Sequence, residues 1–567
     1  MTDLIALIRD SVIGREHGIT TPFGVKPLVY ADYTASGRSL SFIEDYIRDR
    51  VLTCYANTHT ETSFTGAQTT LLREQAREQI RATVNGCADD RVIFTGSGAT
   101  GAINKLVDIL NLRLPYDLAQ RYRLGQYIPT DERPVVFIGP YEHHSNELPW
   151  RESIADVVSI LLTDAGQIDL EHLHDQLQAC AHRPLLIGSF SAASNVTGVK
   201  TDVKGVTALL KAQGALAFWD YAAAGPYVEI DMNGEQPLDA VFLSPHKFIG
   251  GPGTPGVLVV KNSLVNNTVP TVVGGGTVMY VTPEDHLFTK DIERREEGGT
   301  PAIVETIRAG LVFKLQQEVG ITEIERREHD FASRAAARFA NSANLDIMGV
   351  RGEPGLSIMS LRFKHGSKDL HYGFVVSLLN DLFGIQVRGG CSCAGPYGHS
   401  LLGMDMEYSK AIELEITAGN MIMRPGWVRL NFNYFIDERE FEYLLRAIEL
   451  VAEHGWRMLP FYHFDCAAGV WCYQGERMSL PEDMNALSLY DYGRSNREAS
   501  VVKVPLDGQL ESASDELRRK NRAGRLSEVN LNDRCEALRW FVLPQEAAAT
   551  LAALDGDLHT LDAQENR

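Results

Sequence analysis

The chain has 567 residues, and its 54 Lys and Arg against 74 Asp and Glu give a formal charge of −20. With 44% hydrophobic and 23% charged residues it has a globular composition, which excludes a disordered, collagen-like or mucin-like chain. The acidic balance argues against a broad nucleic-acid or anionic-membrane surface, because phosphate binding needs an excess of Lys and Arg.

No apolar run approaches the ~20 residues needed to cross a bilayer, so neither nucleic acid nor membrane is expected as a partner. The opening stretch MTDLIALIRDSVIGREHG is amphipathic and carries acids among its apolar residues. It lacks the basic start and small-residue cleavage site of a secretory signal. Eight cysteines without a CxxC pair are too few for a disulfide framework in a chain this long. A reducing cytoplasm is the expected compartment.

Short apolar runs ending in Gly, Ser or Pro alternate with longer amphipathic stretches. The runs are RVIFTGSG (91–98), RPVVFIGP (133–140), PLLIGSF (184–190), LAFWDY (216–221), AVFLSPHK (240–247) and GVLVVKN (256–262). Their Val, Ile, Leu and Phe do not alternate strictly with polar residues, which fits strands buried on both faces. Such strands, alternating with helices, predict an α/β sheet covered on both sides.

After about residue 304 the pattern changes. A long helical stretch, AIVETIRAGLVFKLQQEVG, leads to a strand at 357–363, a helix at 369–384 and further strands in IQVRGG and WVRLNFNYF. A helix begins at Asp437, where Asp437 and Glu440 form a capping-box-like pair, and Gly455 stands where a C-terminal cap belongs. Beyond about 461 the chain is polar, with charge clusters such as ELRRKNRAGR and a last helix-like run, LPQEAAATLAALDG. It carries no chemical motif and reads as a surface appendage or partner-docking tail.

GSGATG (96–101) fits G-x-G-x-x-G after a strand. A dinucleotide fold needs an acid ~20 residues on, at the end of a second strand. The stretch that follows is polar and loop-like instead. A Gly-rich turn opening a helix still presents free backbone N–H groups to an anion, so a phosphate fits there.

The strongest local signal is SPHKFIGGPGTPG (244–256), which puts Lys247 between an apolar strand and a Gly-rich turn. Desolvation there lowers an amine's pKa and suits it to Schiff-base chemistry. In WDYAAAGP (219–226), Asp220 ends another apolar strand, and an acid at that end points into the crevice where α/β sheets bind ligands. A lysine for an aldehyde, an acid for a ring nitrogen and a helix N-terminus for a phosphate together point to pyridoxal 5′-phosphate.

At these residues the chain resembles the class V, fold-type I pyridoxal-phosphate enzymes, and most of all their cysteine desulfurase and selenocysteine lyase branch. The motifs are ADYTASG, GSGATGAIN, EHHSN, SNVTG, WDYAAAGP, SPHK, GGTP, RGGCSCAG and WVRLNF, spread over roughly residues 25–455. The resemblance implies a mostly parallel central sheet, a smaller α+β C-terminal domain and a C-terminal extension. The expected divisions are an N-terminal segment 1–40, a large cofactor-binding domain 41–305, a small domain 306–460 and an extension 461–567.

The resemblance also implies roles. Lys247 binds the cofactor and moves protons at the substrate Cα. Asp220 keeps the pyridine nitrogen protonated, His143 stacks on the ring, and Asn195 bonds its phenolic oxygen. The phosphate sits on Ala99 and Thr100, closed by Ser244 and His246. Thr300 in GGTP reaches the phosphate of a neighbouring subunit, which implies a homodimer. Arg429 grips the substrate α-carboxylate through a planar fork, with Arg388 and Asn195 also on the substrate side. Cys393 in RGGCSCAG stands where desulfurases carry their nucleophile, next to Arg388, a setting that favours thiolate.

The implied reaction takes sulfur from L-cysteine, leaving alanine and a persulfide on Cys393, with a sulfur-acceptor protein as a partner. Cys391 is an additional thiol, either a second acceptor or incidental. C-x-C with the distant His399 gives no recognised zinc spacing, so no metal is expected. Two departures stand out. Ala223 occupies a position where desulfurases usually have Gln, and the stretch from Cys393 to Arg429 is long, reading as a lid or helical insert. Alternatives therefore stay open: selenocysteine lyase, another C–S lyase, an epimerase, an aminotransferase, or a non-catalytic partner protein that keeps the fold.

Overall fold

The computed structural model describes residues 2–58, 60–349, 355–494, 502–520 and 522–565. Seven strands build the central sheet: β1 (Asp90–Thr95), β2 (Val135–Ile138), β3 (Asp156–Ser159), β4 (Leu186–Ser191), β5 (Leu216–Asp220), β6 (Ala240–Leu243) and β7 (Gly256–Lys261). Their order is β1-β7-β6-β5-β4-β2-β3. Only β7 runs antiparallel, to both β1 and β6; β6, β5, β4, β2 and β3 pair in parallel.

Both faces of this sheet are buried, which explains the unbroken apolar runs. In β2, Val135 and Phe137 enter one core, while Val136 and Ile138 enter the other, beside Ile103 and Leu106 of the helix Gly98–Ile109. The edge strand β3 escaped the sequence pattern. It is four residues long and none of its side chains is fully buried, so no apolar run marks it.

A second sheet holds the other half of the site. Its strands β8 (Leu345–Ile347), β9 (Ile358–His365), β10 (Arg388–Gly390) and β11 (Trp427–Asn431) lie in the order β8-β9-β11-β10, all antiparallel. The helix Tyr372–Phe383 packs on it, and the helix Glu438–His454, whose Asp437 cap accepts from the Glu440 N–H at 2.9 Å, packs against that helix. Gly455 does not end that helix in a left-handed cap. Its backbone is right-handed (φ −57°), and the chain continues into a 3-10 helix, Gly455–Phe461. The segment after Cys393 is a helical insert, Gly395–Leu401 and Met406–Thr417.

Within the extension, residues 475–494 are exposed throughout. Its other described residues are not all at the surface. Trp471, Leu506, Leu517, Cys535, Phe541 and Ala547 are buried in the same core as the second sheet. Among the described residues no helix is long and apolar enough to cross a membrane.

A buried ion cluster ties the Thr300 turn to the sheet. Glu297 accepts from Arg77 at 2.9 and 3.0 Å, from Arg73, and from the Phe94 N–H of β1 at 2.8 Å. Burial alone would raise the Glu297 carboxyl; the Arg77 and Arg73 guanidiniums outweigh it and hold the carboxyl below its ordinary value. Glu297→Ala removes the buried carboxylate that two buried guanidiniums share and leaves them Glu74 and the Val92 carbonyl, so a loss of about 3 kcal/mol is expected, read as a lower calorimetric melting temperature.

Candidate active site

The parallel strands deliver their C-terminal ends to one place, as open α/β sheets do. β5 ends at Asp220, β4 at Ser191, β6 runs into Ser244, His246 and Lys247, and the turn after β2 carries His143. The N-terminus of the helix Gly98–Ile109 and the residues of β10 and β11 close the space. The result is a cavity of about 440 Å³. Of the residues singled out from the sequence, Ala99, Thr100, His143, Asn195, Asp220, Ser244, His246, Lys247, Arg388, Cys393 and Arg429 all line it, with Cys391 and Ala223. Thr300 does not. It lies exposed outside the cavity, with Asn57 Nδ2 3.2 Å from its Oγ1.

Hydroxyls and backbone meet at the N-terminus of the helix Gly98–Ile109. The Ala99 N–H donates to Ser244 Oγ at 2.8 Å, and Thr100 Oγ1 lies 2.6 Å from Ser145 Oγ. Gly98 is left-handed (φ +54°), and a Cβ there would sit 2.6 Å from His246 Cε1 and 2.7 Å from Ser244 Oγ. Only glycine lets the helix end close on that pair.

Electrostatics divide the floor. Burial pulls the Lys247 ammonium down to about 8; Asp220 opposes that shift, while Arg429 and Arg388 add to it. More of this amine is then neutral at pH 7 than of an ordinary lysine. Burial pushes the Asp220 carboxyl up, against the Ala222 N–H bond at 2.7 Å and the Lys247 charge. His143 is lowered to about 3 by burial and by Lys247, so it is neutral. Its Nδ1 accepts from the Ser145 N–H at 3.1 Å, capping the helix His144–Arg151. His246 falls to about 4 for the same two reasons.

The opposite wall is cationic. Arg429 on β11 is buried and gives Nη2 to Asp32 Oδ1 at 3.2 Å and Nη1 to the Asn195 carbonyl at 3.1 Å. Arg388 on β10 donates to Asp32 Oδ2 at 3.0 Å. One carboxylate thus holds both guanidiniums. Nothing local in ADYTASG marks Asp32, because its two partners are 356 and 397 residues away. Tyr372 and Arg424, which also line the cavity, carried no motif at all.

Cys393 is exposed at the mouth, and both Ser392 and Cys393 have φ of 55°. The loop is tied to the large sheet's side by His144, whose N–H donates to the Cys393 carbonyl at 2.9 Å and whose Nε2 accepts from the Gly395 N–H at 3.0 Å. Asn195 Nδ2 donates to the Ser392 carbonyl at 2.8 Å, so its amide N–H serves the cysteine loop.

These residues fit pyridoxal phosphate. Asn195 Oδ1 and Arg429 Nε are buried at the cavity with no protein partner, and buried polar atoms are rarely left so without a guest. Lys247, Asp220, neutral His143 and the N-terminus of the helix Gly98–Ile109 share one cavity, a donor set whose chemistry fits that group.

The chain belongs to the class V aminotransferase family: the model described as aminotransferase class-V matches residues 29–412. That family is pyridoxal-phosphate dependent. A probable cysteine desulfurase of Halalkalibacterium halodurans is 29% identical over 374 residues, covering 65% of this chain and 85% of that protein. One of Streptomyces coelicolor is 27% identical over 375 residues, covering 65% and 84%. Two solved structures share the fold: the apo cysteine desulfurase of Thermococcus onnurineus (TM-score 0.62, 23% identity, 75% of this chain and 95% of that one) and the cysteine desulfurase CsdA of Escherichia coli (TM-score 0.62, 19% identity, 79% and 98%).

Proposed function

We propose that the protein is a pyridoxal-phosphate-dependent cysteine desulfurase. It converts L-cysteine and the Cys393 thiol to alanine and a Cys393 persulfide. The observation that carries this reading is that the Cys393 thiol, the Lys247 amine and the Arg429 fork line one cavity. When bound, the cofactor supplies an electron sink for the bonds at the substrate Cα.

The chain's residues do the rest. Arg429 takes the α-carboxylate in a two-bond grip, and Asp32 fixes its plane. Lys247 holds and moves the proton at Cα, aided by its lowered pKa. Asp220 holds the proton on the ring nitrogen, and neutral His143 offers a flat face. The Cys393 sulfur attacks the substrate sulfur: the new S–S bond forms, the Cβ–S bond breaks, and Cβ receives the electron pair and a proton.

A homodimer is part of the proposal. Val272, Val273, Met279, Tyr280 and Leu287 are all more than half exposed, and a Cβ on Gly298, two residues before Thr300, would lie 2.6 Å from the Val272 carbonyl oxygen. An apolar patch next to Thr300 supports a second copy there. The exposed Cys393 supports hand-over to an acceptor protein, and eight free thiols support a reducing cytoplasm.

The test is to incubate the cofactor-loaded protein with L-cysteine and score alanine against bound persulfide plus sulfide. One-to-one formation is expected. Alanine without either sulfur product points to another class V reaction, and no product with no cofactor uptake points to a non-catalytic partner protein.

A further inference from the structure

Two tryptophans of the C-terminal extension reach the back of the active-site wall. They come from the hairpin Tyr462–Asp465 and Val470–Tyr473 and from the segment after the helix Asp533–Leu538. Trp471 is buried, and its Nε1 donates to His371 Nδ1 at 3.1 Å. The Gly373 N–H donates to the same nitrogen at 3.0 Å, and His371 Nε2 lies 3.2 Å from the Ile422 carbonyl. Two donors at Nδ1 and one acceptor at Nε2 leave a single neutral tautomer, with the proton on Nε2.

Trp540 stacks on both neighbours. Its ring is 5.3 Å from His371 at 26°, and 6.2 Å from Tyr372 at 2°. It is pinned by its Nε1 bond to the Met423 carbonyl at 3.1 Å and by backbone bonds at 3.2 and 2.9 Å that pair Trp540 and Val542 with Asp369.

Tyr372 is the link to the reaction loop. It lines the cavity with Gly389, Gly390 and Cys391. A Cβ on Gly389 would lie 2.6 Å from Tyr372 Cδ2, and one on Gly426 would lie 2.9 Å from Tyr372 Cε1. The strand that leads into the cysteine loop therefore rests directly on this ring. That loop carries two consecutive non-glycine residues in the left-handed region, a conformation that persists only where its surroundings over-determine it. His144 and Asn195 frame one side, and Tyr372 with the aromatic stack frames the other.

We propose that Trp540 and Trp471 are positioning residues for the Cys393 loop, acting through His371 and Tyr372. The extension thus serves the active site as part of its wall. The catalytic consequence rests on the desulfurase reading; the ordering of the loop does not.

The test uses full-length Trp540→Ala and Trp540→Phe proteins. Cys393 alkylation by iodoacetamide is followed by peptide mass spectrometry without cofactor, with exposed Cys87 as an internal control. In Trp540→Ala, Cys393 alkylation is expected to rise about threefold or more while Cys87 is unchanged. Turnover of L-cysteine is expected to fall about tenfold or more, through kcat with KM held. Phenylalanine, which keeps the stack, restores both. Trp540→Leu carries the same expectation if the alanine protein does not fold. Unchanged Cys393 alkylation in the folded variants overturns the proposal, whatever the turnover. A wild-type protein that yields no alanine overturns the desulfurase reading and leaves the alkylation result intact.

Discussion

The Lys247→Ala protein takes up no colour from pyridoxal 5′-phosphate and loses turnover by about 10³-fold or more. The reason lies in its setting, and a second lysine shows which part of that setting matters. Lys105 is also buried and also lowered by desolvation. Its amine, however, is spent on Glu296, 3.3 Å away, and on the Glu296 carbonyl and Thr271 Oγ1. A depressed pKa alone therefore does not mark the reactive amine. Lys247 joins a depressed pKa to a cavity wall with Asp220 on the same floor.

The wild-type protein makes a matching pH expectation. On the proposed function the neutral amine is the nucleophile, and burial lowers it from an ordinary 10.5 to about 8. Covalent cofactor uptake by the cofactor-free protein should rise about tenfold per pH unit below 8 and level off above it. Stopped-flow absorbance reads this directly. Uptake that keeps rising well beyond pH 9, or a Lys247→Ala protein that still turns yellow, removes Lys247 from the assignment.

The parts of the fold that could be read in advance share one property: their signals are local. β1, β2, β4, β5, β6 and β7 are buried on both faces and so appear as apolar runs. Lys247 and Asp220 end such runs, and their position alone aims them at the crevice. What escaped depends on contacts distant in sequence. Asp32 means little until Arg388 and Arg429 close on it. Tyr372 reads as one more apolar residue of a helix, and only the glycines of β10 and the loop before β11 show what rests on it. Trp540 lies in a stretch that reads as polar, and its place is set by the Asp369 N–H bond to its carbonyl, beside the bridge of Asp369 with Phe541. The resemblance gives Asn195 to the cofactor, and the geometry adds a bond to the cysteine loop that no motif encodes.

Cys393→Ser should separate sulfur chemistry from everything upstream of it. Serine keeps the size and the turn, so Ser392 and residue 393 can hold the same left-handed backbone, and the bonds from His144 and Asn195 to the loop carbonyls survive. Cofactor uptake and L-cysteine binding, which the proposed function assigns to Lys247, Asp220 and Arg429, should then match the wild type. The hydroxyl cannot accept sulfur as a persulfide, so alanine formation should fall by about 10³-fold or more. Intact-mass measurement after cysteine addition should show one added sulfur atom on the wild-type chain and none on the variant. The two readouts cover each other: lost alanine with retained cofactor colour places the defect at the sulfur step, where the exposed thiol at the cavity mouth sits. A serine variant that makes alanine at the wild-type rate would show that the Cβ–S bond breaks without this thiol, and the reaction would then belong to a different member of the class V repertoire.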